Sequence, residues 1–247
     1  MLDLKEISEM SPQELKAWLT RNKLTIRYCK ACGFFDERSR FGNVCPICME
    51  DCFLDINVDE DTLQNAINIY EHFKNLPPEE YPWFTFIVTS LARAEYFINI
   101  ATAKIDGFFA GFLLGLSLMN YVNTKVVCWS LPFKPELRDI LVLTCGIDNF
   151  AIYDLPGEVH QKLIIIDGLL ALKGSANLTV AGWSRSGEIR EIVTKFDEIV
   201  DMNKRYFAPF YVDALTECGL LYGLSDRERE ELRSFIRPFL KSLTKRE

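Results

Sequence analysis

The chain has 247 residues, of which 49% are hydrophobic and 26% are charged, and its formal net charge is −7. This composition predicts a globular protein with one large domain or two unequal ones. The acidic balance argues against a general nucleic-acid coat protein, which needs a basic surface. The first residues do not combine a basic segment with an apolar run, so we expect no signal peptide and a cytoplasmic location.

The N-terminal region is predicted to begin with a helix. Ser11, Pro12 and Glu14 have the pattern of a capping box with proline in the first turn. Basic residues are concentrated just after this helix, between Arg21 and Val44, which makes the segment mildly basic and a candidate contact for nucleic acid or a partner protein.

Five of the eight cysteines lie in one short segment, CKACGFFDERSRFGNVCPICMEDC. Cys29, Cys32, Cys45 and Cys48 form two C-x-x-C pairs separated by twelve residues, a spacing that resembles a zinc ribbon with one structural Zn²⁺ bound by four cysteines. Reduced thiols or two disulfides are the alternatives, but disulfides need an oxidising compartment. Cys52 either replaces Cys48 as a ligand or stands outside the site.

A connecting helix and a linker follow the cysteine-rich segment. Residues 59–75 have the apolar period of an amphipathic helix, on which His72 lies between charged neighbours and is predicted to be solvated. The sequence NLPPEEYPW then breaks all periodicity. We therefore expect an N-terminal helix and ribbon module over 1–58, a connecting helix and linker over 59–82, and a large domain over 83–247.

In the large domain, helical and strand patterns alternate, which predicts an α/β fold with a mixed sheet. The apolar segment 107–121 is too short and too rich in glycine to span a bilayer comfortably, so we expect a buried helix and no stable membrane insertion. The other predicted helices lie near 84–95, 135–146, 197–217 and 225–243. The predicted strands lie near 96–103, 124–131, 150–155, 160–167, 169–174 and 188–196.

The stretch HQKLIIIDGLLALKGSANLT, residues 160–179, places polar side chains at defined offsets among apolar ones. His160 and Lys162 are two apart on a predicted strand, so both project from the same face. The return strand ends at Gly174, which brings Ser175 and Asn177 to the same edge of the sheet. A nucleophile or general acid, a cation and two neutral hydrogen-bonding groups suit phosphoryl transfer to an enzyme side chain. Lys162 would neutralise the phosphate oxygens, which Ser175 and Asn177 would hold.

The full pattern resembles the motif of the phospholipase D superfamily: His160-x-Lys162-x4-Asp167-x6-Gly174-Ser175-x-Asn177. The resemblance covers approximately residues 83–220 and implies a mixed β-sheet flanked by helices. It also implies a two-step reaction, in which one histidine attacks the phosphodiester and forms a phosphohistidine while a second protonates the leaving oxygen. Water completes the hydrolysis, and no catalytic metal is expected. In this family, Asp167 usually holds the motif loop and does not touch the substrate.

The resemblance also implies a downstream carboxylate that orients the histidine. The usual spacing favours Glu188, whereas Glu191 is better placed to enter the following strand, and both remain open. Trp183 and Arg185, in the loop after the motif, are candidate substrate contacts through stacking on a base and binding of a phosphate. A half-buried tryptophan with a solvated arginine is the alternative for this pair.

The chain carries a single copy of the motif and only two histidines. A catalytic site with two histidines then requires a second chain, most simply a homodimer in which His160 of each subunit meets its mate. Relatives with one motif mostly cleave nucleic acid, so we expect a DNA or RNA endonuclease. The alternatives are hydrolysis of a lipid such as cardiolipin, with 107–121 as a lipid contact, and a non-catalytic nucleic-acid-binding module.

Overall fold

The computed structural model describes residues 2–76, 83–129, 149–185 and 187–221, with side chains as far as Cys218. The predicted segments 135–146 and 225–243 lie outside these residues. The elements of the described residues are α1 Leu4–Ser8, α2 Pro12–Arg21, β1 Thr25–Cys29, β2 Phe35–Glu37, β3 Phe53–Asn57, α3 Glu60–Lys74, α4 Trp83–Ala92, β4 Phe97–Thr102, α5 Gly107–Asn120, β5 Asn123–Cys128, β6 Phe150–Asp154, β7 Lys162–Ile166, β8 Leu170–Gly174, α6 Val180–Ser184, β9 Arg190–Val193, α7 Phe196–Tyr206 and α8 Ala208–Leu221.

The capping box predicted for α2 is confirmed. The Ser11 side chain accepts a hydrogen bond from the Glu14 amide at 3.4 Å, and the Ser11 amide donates to the Glu14 carboxylate at 2.8 Å. These bonds satisfy amide groups at the helix start that have no partner within the helix.

The cysteine-rich segment folds as a three-stranded antiparallel sheet in the order β2-β1-β3. Two similar turns carry its cysteine pairs. The amide of Gly33 donates to the carbonyl of Cys29 at 2.8 Å, and the amide of Met49 donates to that of Cys45 at 2.9 Å. Gly33 and Met49 have φ values of 76° and 64°, in the left-handed region that allows such tight turns.

The large domain contains a six-stranded mixed sheet in the order β6-β5-β4-β7-β8-β9. The first three strands are parallel to one another, and β7, β8 and β9 follow with antiparallel pairing. Helices lie on both faces: α5 packs against one face of β5, and α7 and α8 pack against the other face of the sheet. The structure therefore confirms the predicted α/β fold with a mixed sheet flanked by helices.

The ribbon sheet packs directly on the face of the large sheet that α7 and α8 cover. Tyr28 stacks on Phe97 of β4 with 4.2 Å between ring centroids. The carbonyl of Gly33 accepts hydrogen bonds from the side-chain amides of Asn99, at 2.6 Å, and Asn203, at 3.2 Å. A Cβ atom on Gly33 would lie 2.7 Å from the Phe207 ring, so this approach also requires glycine. Both sheets share one hydrophobic core. The module boundaries at residues 58 and 82 stay predictions.

Two predicted helices differ in detail from the structure. The predicted helix 197–217 is divided into α7 and α8 at Phe207, whose buried ring packs beside Gly33. The predicted buried helix 107–121 is α5, but only its inner face is buried. On its outer face, Phe108, Leu118 and Met119 are 46%, 54% and 81% exposed. In the part of the chain that the structure describes, no helix combines the length and apolar character needed to cross a membrane.

Candidate active site

The His160–Lys162 end of the motif lies at the start of β7. The strand begins at Lys162, so His160 precedes it, and the histidine side chain is exposed. The Lys162 ammonium donates to the carbonyl of His160 at 2.7 Å, which brings the cation back to the main chain of that residue. An exposed imidazole on a residue whose main chain binds an ammonium group is suited to approach by an anionic phosphodiester.

The other half of the motif reaches the same sheet edge through β8. The antiparallel register places Leu163 opposite Lys173, so the end of β8 lies beside the start of β7. Lys162 and Gly174 line one small pocket. The structure thus brings His160, Lys162 and the Gly174–Asn177 segment to one edge, as the motif spacing predicts.

Gly174 allows an unusually close approach between two chain segments. A Cβ atom at this position would lie 1.9 Å from the carbonyl oxygen of Ile189, a contact that no side chain can make. The close approach lets the Ser175 amide donate to the Ile189 carbonyl at 3.0 Å and the Ile189 amide donate to Ser175 Oγ at 3.0 Å. The Ser175 hydroxyl donates a hydrogen bond to the carboxylate of Glu188.

The two candidate glutamates occupy different positions. Glu188 contacts Ser175 at the site edge. Glu191 lies within β9 opposite Lys173 and forms an ion pair with it at 3.2 Å. Because Lys173 alternates with Gly174 along β8, this ion pair lies on the sheet face opposite to the one that Gly174 and Lys162 share. The geometry therefore favours Glu188 as the carboxylate of the site.

Asn177 lies in the segment that connects β8 to α6. Its side-chain oxygen is buried and accepts no hydrogen bond from the described residues. The neighbouring chain is held by Thr102 at the end of β4, whose hydroxyl accepts from the Leu178 amide at 3.2 Å. Asp106 adds a second bond, because its carboxylate accepts from the Val180 amide at 2.6 Å. The unpaired oxygen can accept a hydrogen bond from a ligand, and the Nδ2 group of the same amide is the part that can donate to a ligand oxygen.

Asp167 lies at the opposite end of β7, five residues beyond Lys162, and does not meet His160. It is 7% exposed and has a φ of 52°. Its carboxylate accepts hydrogen bonds from the amides of Glu95, Tyr96 and Phe97 at 2.8–2.9 Å. Burial raises the pKa of Asp167 to about 6, although these three amide bonds oppose the change. Asp167 therefore ties the β7–β8 turn to the start of β4, which is a structural role.

Trp183 and Arg185 have different environments. Trp183 is only 4% exposed, so its ring faces are not presented for stacking on a base, in contrast to the sequence-based expectation. The physical reason is Arg190, whose guanidinium lies 5.3 Å from the Trp183 ring centroid and 4.8 Å from that of Trp83. The side chain of Arg185 is exposed at this edge.

Sequence reasoning missed two residues at the site. Trp129, directly after β5, packs edge-to-face with His160, with 4.0 Å between ring centroids, and is 38% exposed. Arg190, the first residue of β9, lies within the strand predicted near 188–196. The available signal was weak in both cases, since an aromatic or a basic residue at a strand end is common, and only the tertiary structure brings these two to the motif.

The four predicted metal-binding cysteines form a cluster in the ribbon. Cys29, Cys32, Cys45 and Cys48 offer sulfur atoms that all lie within 4.8 Å of one another, the first three being buried. The Sγ atoms of Cys29 and Cys48 are 3.6 Å apart, and those of Cys32 and Cys45 are 3.5 Å apart. Cys52 is exposed and does not join this group. Such a cluster can hold one structural metal ion.

Comparisons with known proteins give similarities in fold only. No family model matches the chain, and no curated protein matches it. Among solved structures, the chain is similar to NucT from Helicobacter pylori, with 15% identity over 54% of this chain and 87% of that one and a TM-score of 0.44. It is also similar to Nuc from Salmonella typhimurium, described as a phospholipase D family member, with 13% identity over 54% and 86% of the two chains and a TM-score of 0.41.

A third similar structure is the phosphatidylserine synthase of Haemophilus influenzae, with 12% identity over 66% of this chain and 44% of that one and a TM-score of 0.37. A shared fold does not specify a function.

The close approach at Gly174 leads to a test of the site's architecture. We expect Gly174→Ala to lower the free energy of unfolding by about 1–3 kcal/mol, because the added methyl group forces Ile189 away from Ser175. Gly115→Ala is the matched control, since a Cβ on Gly115 meets no heavy atom within 4 Å. That change in a helix interior should leave stability equal or up to about 1 kcal/mol higher. Urea denaturation of both variants measures the difference, and equal stabilities would contradict the close approach.

Proposed function

We propose that this chain is a phosphodiesterase that cleaves nucleic acid through a phosphohistidine intermediate, without a catalytic metal. The observation that carries the proposal is the meeting of His160 and Lys162 with the Gly174–Asn177 segment at one edge of the sheet. A module that only binds nucleic acid would be expected to have lost polar residues of the motif by substitution. All of these residues are present in this chain, which favours catalysis.

In the proposed first step, His160 attacks the phosphorus atom and the ester bond to the leaving oxygen breaks. The leaving oxygen takes a proton from a second histidine. The Lys162 ammonium, which contacts the main chain of His160, neutralises charge on the phosphate oxygens, and the Asn177 side-chain NH2 group donates to one of them. In the second step, water attacks the phosphohistidine, the phosphorus–nitrogen bond breaks, and the second histidine takes the proton from water.

Ser175 and Glu188 are proposed to act as a pair. While Glu188 is ionised, the Ser175 hydroxyl donates to its carboxylate, and the same oxygen accepts from the Ile189 amide. Both interactions commit the hydroxyl, so we assign Ser175 first to holding Glu188 and leave the direct phosphate contacts to Lys162 and Asn177. Glu188, held in this way, is the proposed carboxylate that orients an imidazole.

The second histidine is proposed to come from a second copy of the chain. The only other histidine, His72, lies on α3 and packs against Phe86. His160 is exposed at its sheet edge, which suits contact with the same residue of a two-fold mate. The proposed active species is therefore a homodimer with a shared site.

Nucleic acid is the proposed substrate, and Arg185 is a proposed contact for a flanking phosphate because it is exposed at the site edge.

A lipid phosphodiester is the second candidate, and one observation favours it. The outer face of α5 exposes Phe108, Leu118 and Met119, and this helix starts beside the segment that carries Asn177, through the contact of Asp106 with Val180. The exposed apolar side chains of α5 are suited to contact the acyl chains of a lipid.

The cysteine cluster is proposed to bind zinc in a structural role. Tetrahedral Zn²⁺ with bonds of about 2.3 Å to sulfur requires sulfur atoms about 3.8 Å apart, and the separations of 3.5 and 3.6 Å fit this geometry. Zinc would stabilise the two cysteine turns and would supply no chemistry at His160.

Arginines near the cysteine cluster are already paired, Arg27 with Asp55 at 2.7 Å and Arg40 with Asp197 at 2.6 Å. This pairing favours a structural role for the ribbon over contact with nucleic acid.

The catalytic proposal is tested by His160→Ala. We expect wild-type protein, assayed in EDTA at concentrations that leave the cysteine-bound metal in place, to cleave at least one member of a substrate panel. The panel is single-stranded DNA, duplex DNA, RNA and cardiolipin vesicles. His160→Ala should reduce the rate to background because the nucleophile is absent, whereas the matched control His72→Ala should keep it. Retained activity in His160→Ala would overturn the mechanism, and cleavage of cardiolipin alone would favour the lipid alternative.

The shared site is tested by mixing subunits. Wild-type protein, unfolded and refolded with a threefold excess of His160→Ala chains, should lose activity per wild-type chain, because most wild-type subunits then pair with a mate that lacks the histidine. Refolding with the same excess of His72→Ala chains is the control. Activity that stays proportional to the wild-type chains would contradict a site built from two histidines.

The metal proposal predicts one zinc ion per chain, measured by elemental analysis of the purified protein. Cys45→Ser should lower the zinc content and the unfolding temperature, since it removes one of four ligands. Cys52→Ser is the matched control and should keep the metal, because Cys52 lies outside the cluster. An equal loss of zinc in both variants would contradict the assignment.

A further inference from the structure

Arg190 lies next to the candidate site without being part of the motif. It is the first residue of β9 and pairs with Gly174 across the sheet. Its guanidinium lies between the rings of Trp83, from the start of α4, and Trp183, with 4.8 and 5.3 Å to the two ring centroids. Contact with two tryptophans restricts both the position and the plane of the guanidinium.

The same guanidinium donates hydrogen bonds to three backbone carbonyls. Nη2 donates to Gly182 at 3.0 Å and to Arg185 at 3.1 Å, and Nη1 donates to Glu188 at 3.2 Å. The Gly182 carbonyl belongs to α6, and those of Arg185 and Glu188 belong to the chain between α6 and β9. A planar group with several N–H donors can hold three carbonyls at once, whereas a lysine ammonium on a flexible stem cannot match this arrangement.

Arg190 and Ser175 both hold the main chain at Glu188 and Ile189. The Arg190 guanidinium holds the Glu188 carbonyl, while Ser175 Oγ accepts from the next amide, that of Ile189, at 3.0 Å. The Glu188 carboxylate then lies on the Ser175 hydroxyl. We propose that Arg190 is a positioning residue, which sets the Glu188 carboxylate in place by holding the carbonyls of the segment that carries it.

The effect of Arg190 on the reaction rate rests on the proposed function, in which Glu188 orients an imidazole. A small displacement of a group that orients a reacting residue costs up to about a hundredfold in rate. Substrate binding is proposed to depend mainly on Lys162 and Asn177, which are not among these three carbonyl partners, whereas release of the Arg185 carbonyl also affects one flanking phosphate contact. Loss of the Arg190 contacts should therefore lower kcat much more than it raises KM.

The kinetic test uses Arg190→Lys, which keeps the charge and the contact with the rings but loses the planar donor set. We expect kcat to fall about tenfold to a hundredfold with KM within about twofold. In a Glu188→Gln background, Arg190→Lys should produce no further loss of kcat, because the residue it positions is already disabled. Arg205→Lys, on the exposed face of α7, is the control and should keep wild-type kinetics. Multiplicative losses in the double variant would overturn the positioning role.

A second measurement does not depend on activity. In Arg190→Lys, hydrogen exchange of the Ile189 amide should be faster than in wild type, since its contact with Ser175 is released, while the amides of β4 keep their protection. Unchanged exchange at Ile189 would overturn the inference even if kcat falls. If the wild-type chain cleaves none of the substrates, the proposed function fails, and the exchange measurement still decides whether Arg190 holds this segment. Trp83→Leu, which removes one ring, should accelerate exchange at the same amide if Arg190→Lys is too unstable to study.

Discussion

The antiparallel pairing of β7 with β8 is the constraint on which the rest of the candidate site depends. The register with Leu163 opposite Lys173 brings two separate parts of the chain to one sheet edge. A slip of one residue would turn Lys162 to the other face, because side chains alternate along a strand. Asp167 secures the far end of the same pair by binding the first amides of β4. The buried apolar residues of β7 and β8 thus hold the two strands in the register that positions the polar residues at their ends.

The ribbon is joined to this arrangement from the opposite face of the sheet. Gly33, which closes the first cysteine turn, accepts hydrogen bonds from Asn99 of β4 and Asn203 of α7. Lys125 of β5 is buried nearby, with its ammonium 5.3 Å from the Tyr211 ring, and burial lowers its pKa. Buried polar groups of this kind are tolerated where their partners are held in place. The cysteine turns and the large sheet therefore depend on each other for satisfied hydrogen bonds.

Local patterns predicted local structure well and long-range contacts poorly. The capping box of α2 and the strands around the motif depend on residues close in sequence, and the structure confirms them. The helix predicted over 197–217 is interrupted because Phe207 packs beside Gly33, more than 170 residues earlier, a contact that no local period reveals. Trp183 likewise has the sequence features of an exposed loop aromatic, but the guanidinium of Arg190 lies over its buried ring.

The sequence by itself determined the α/β class, the four cysteines that cluster in the ribbon, and the places of the candidate site residues along β7 and β8. Each of these follows from spacing along the chain, through strand alternation, turn geometry or the known order of a motif. Only the tertiary structure decided that Glu188 meets Ser175 while Glu191 pairs with Lys173, and that Arg190 holds the intervening segment. The physical reason is that both glutamates lie at a suitable distance along the chain from the motif. The close approach of Ile189 to Gly174 brings Glu188 to Ser175, whereas the register of β9 places Glu191 opposite Lys173.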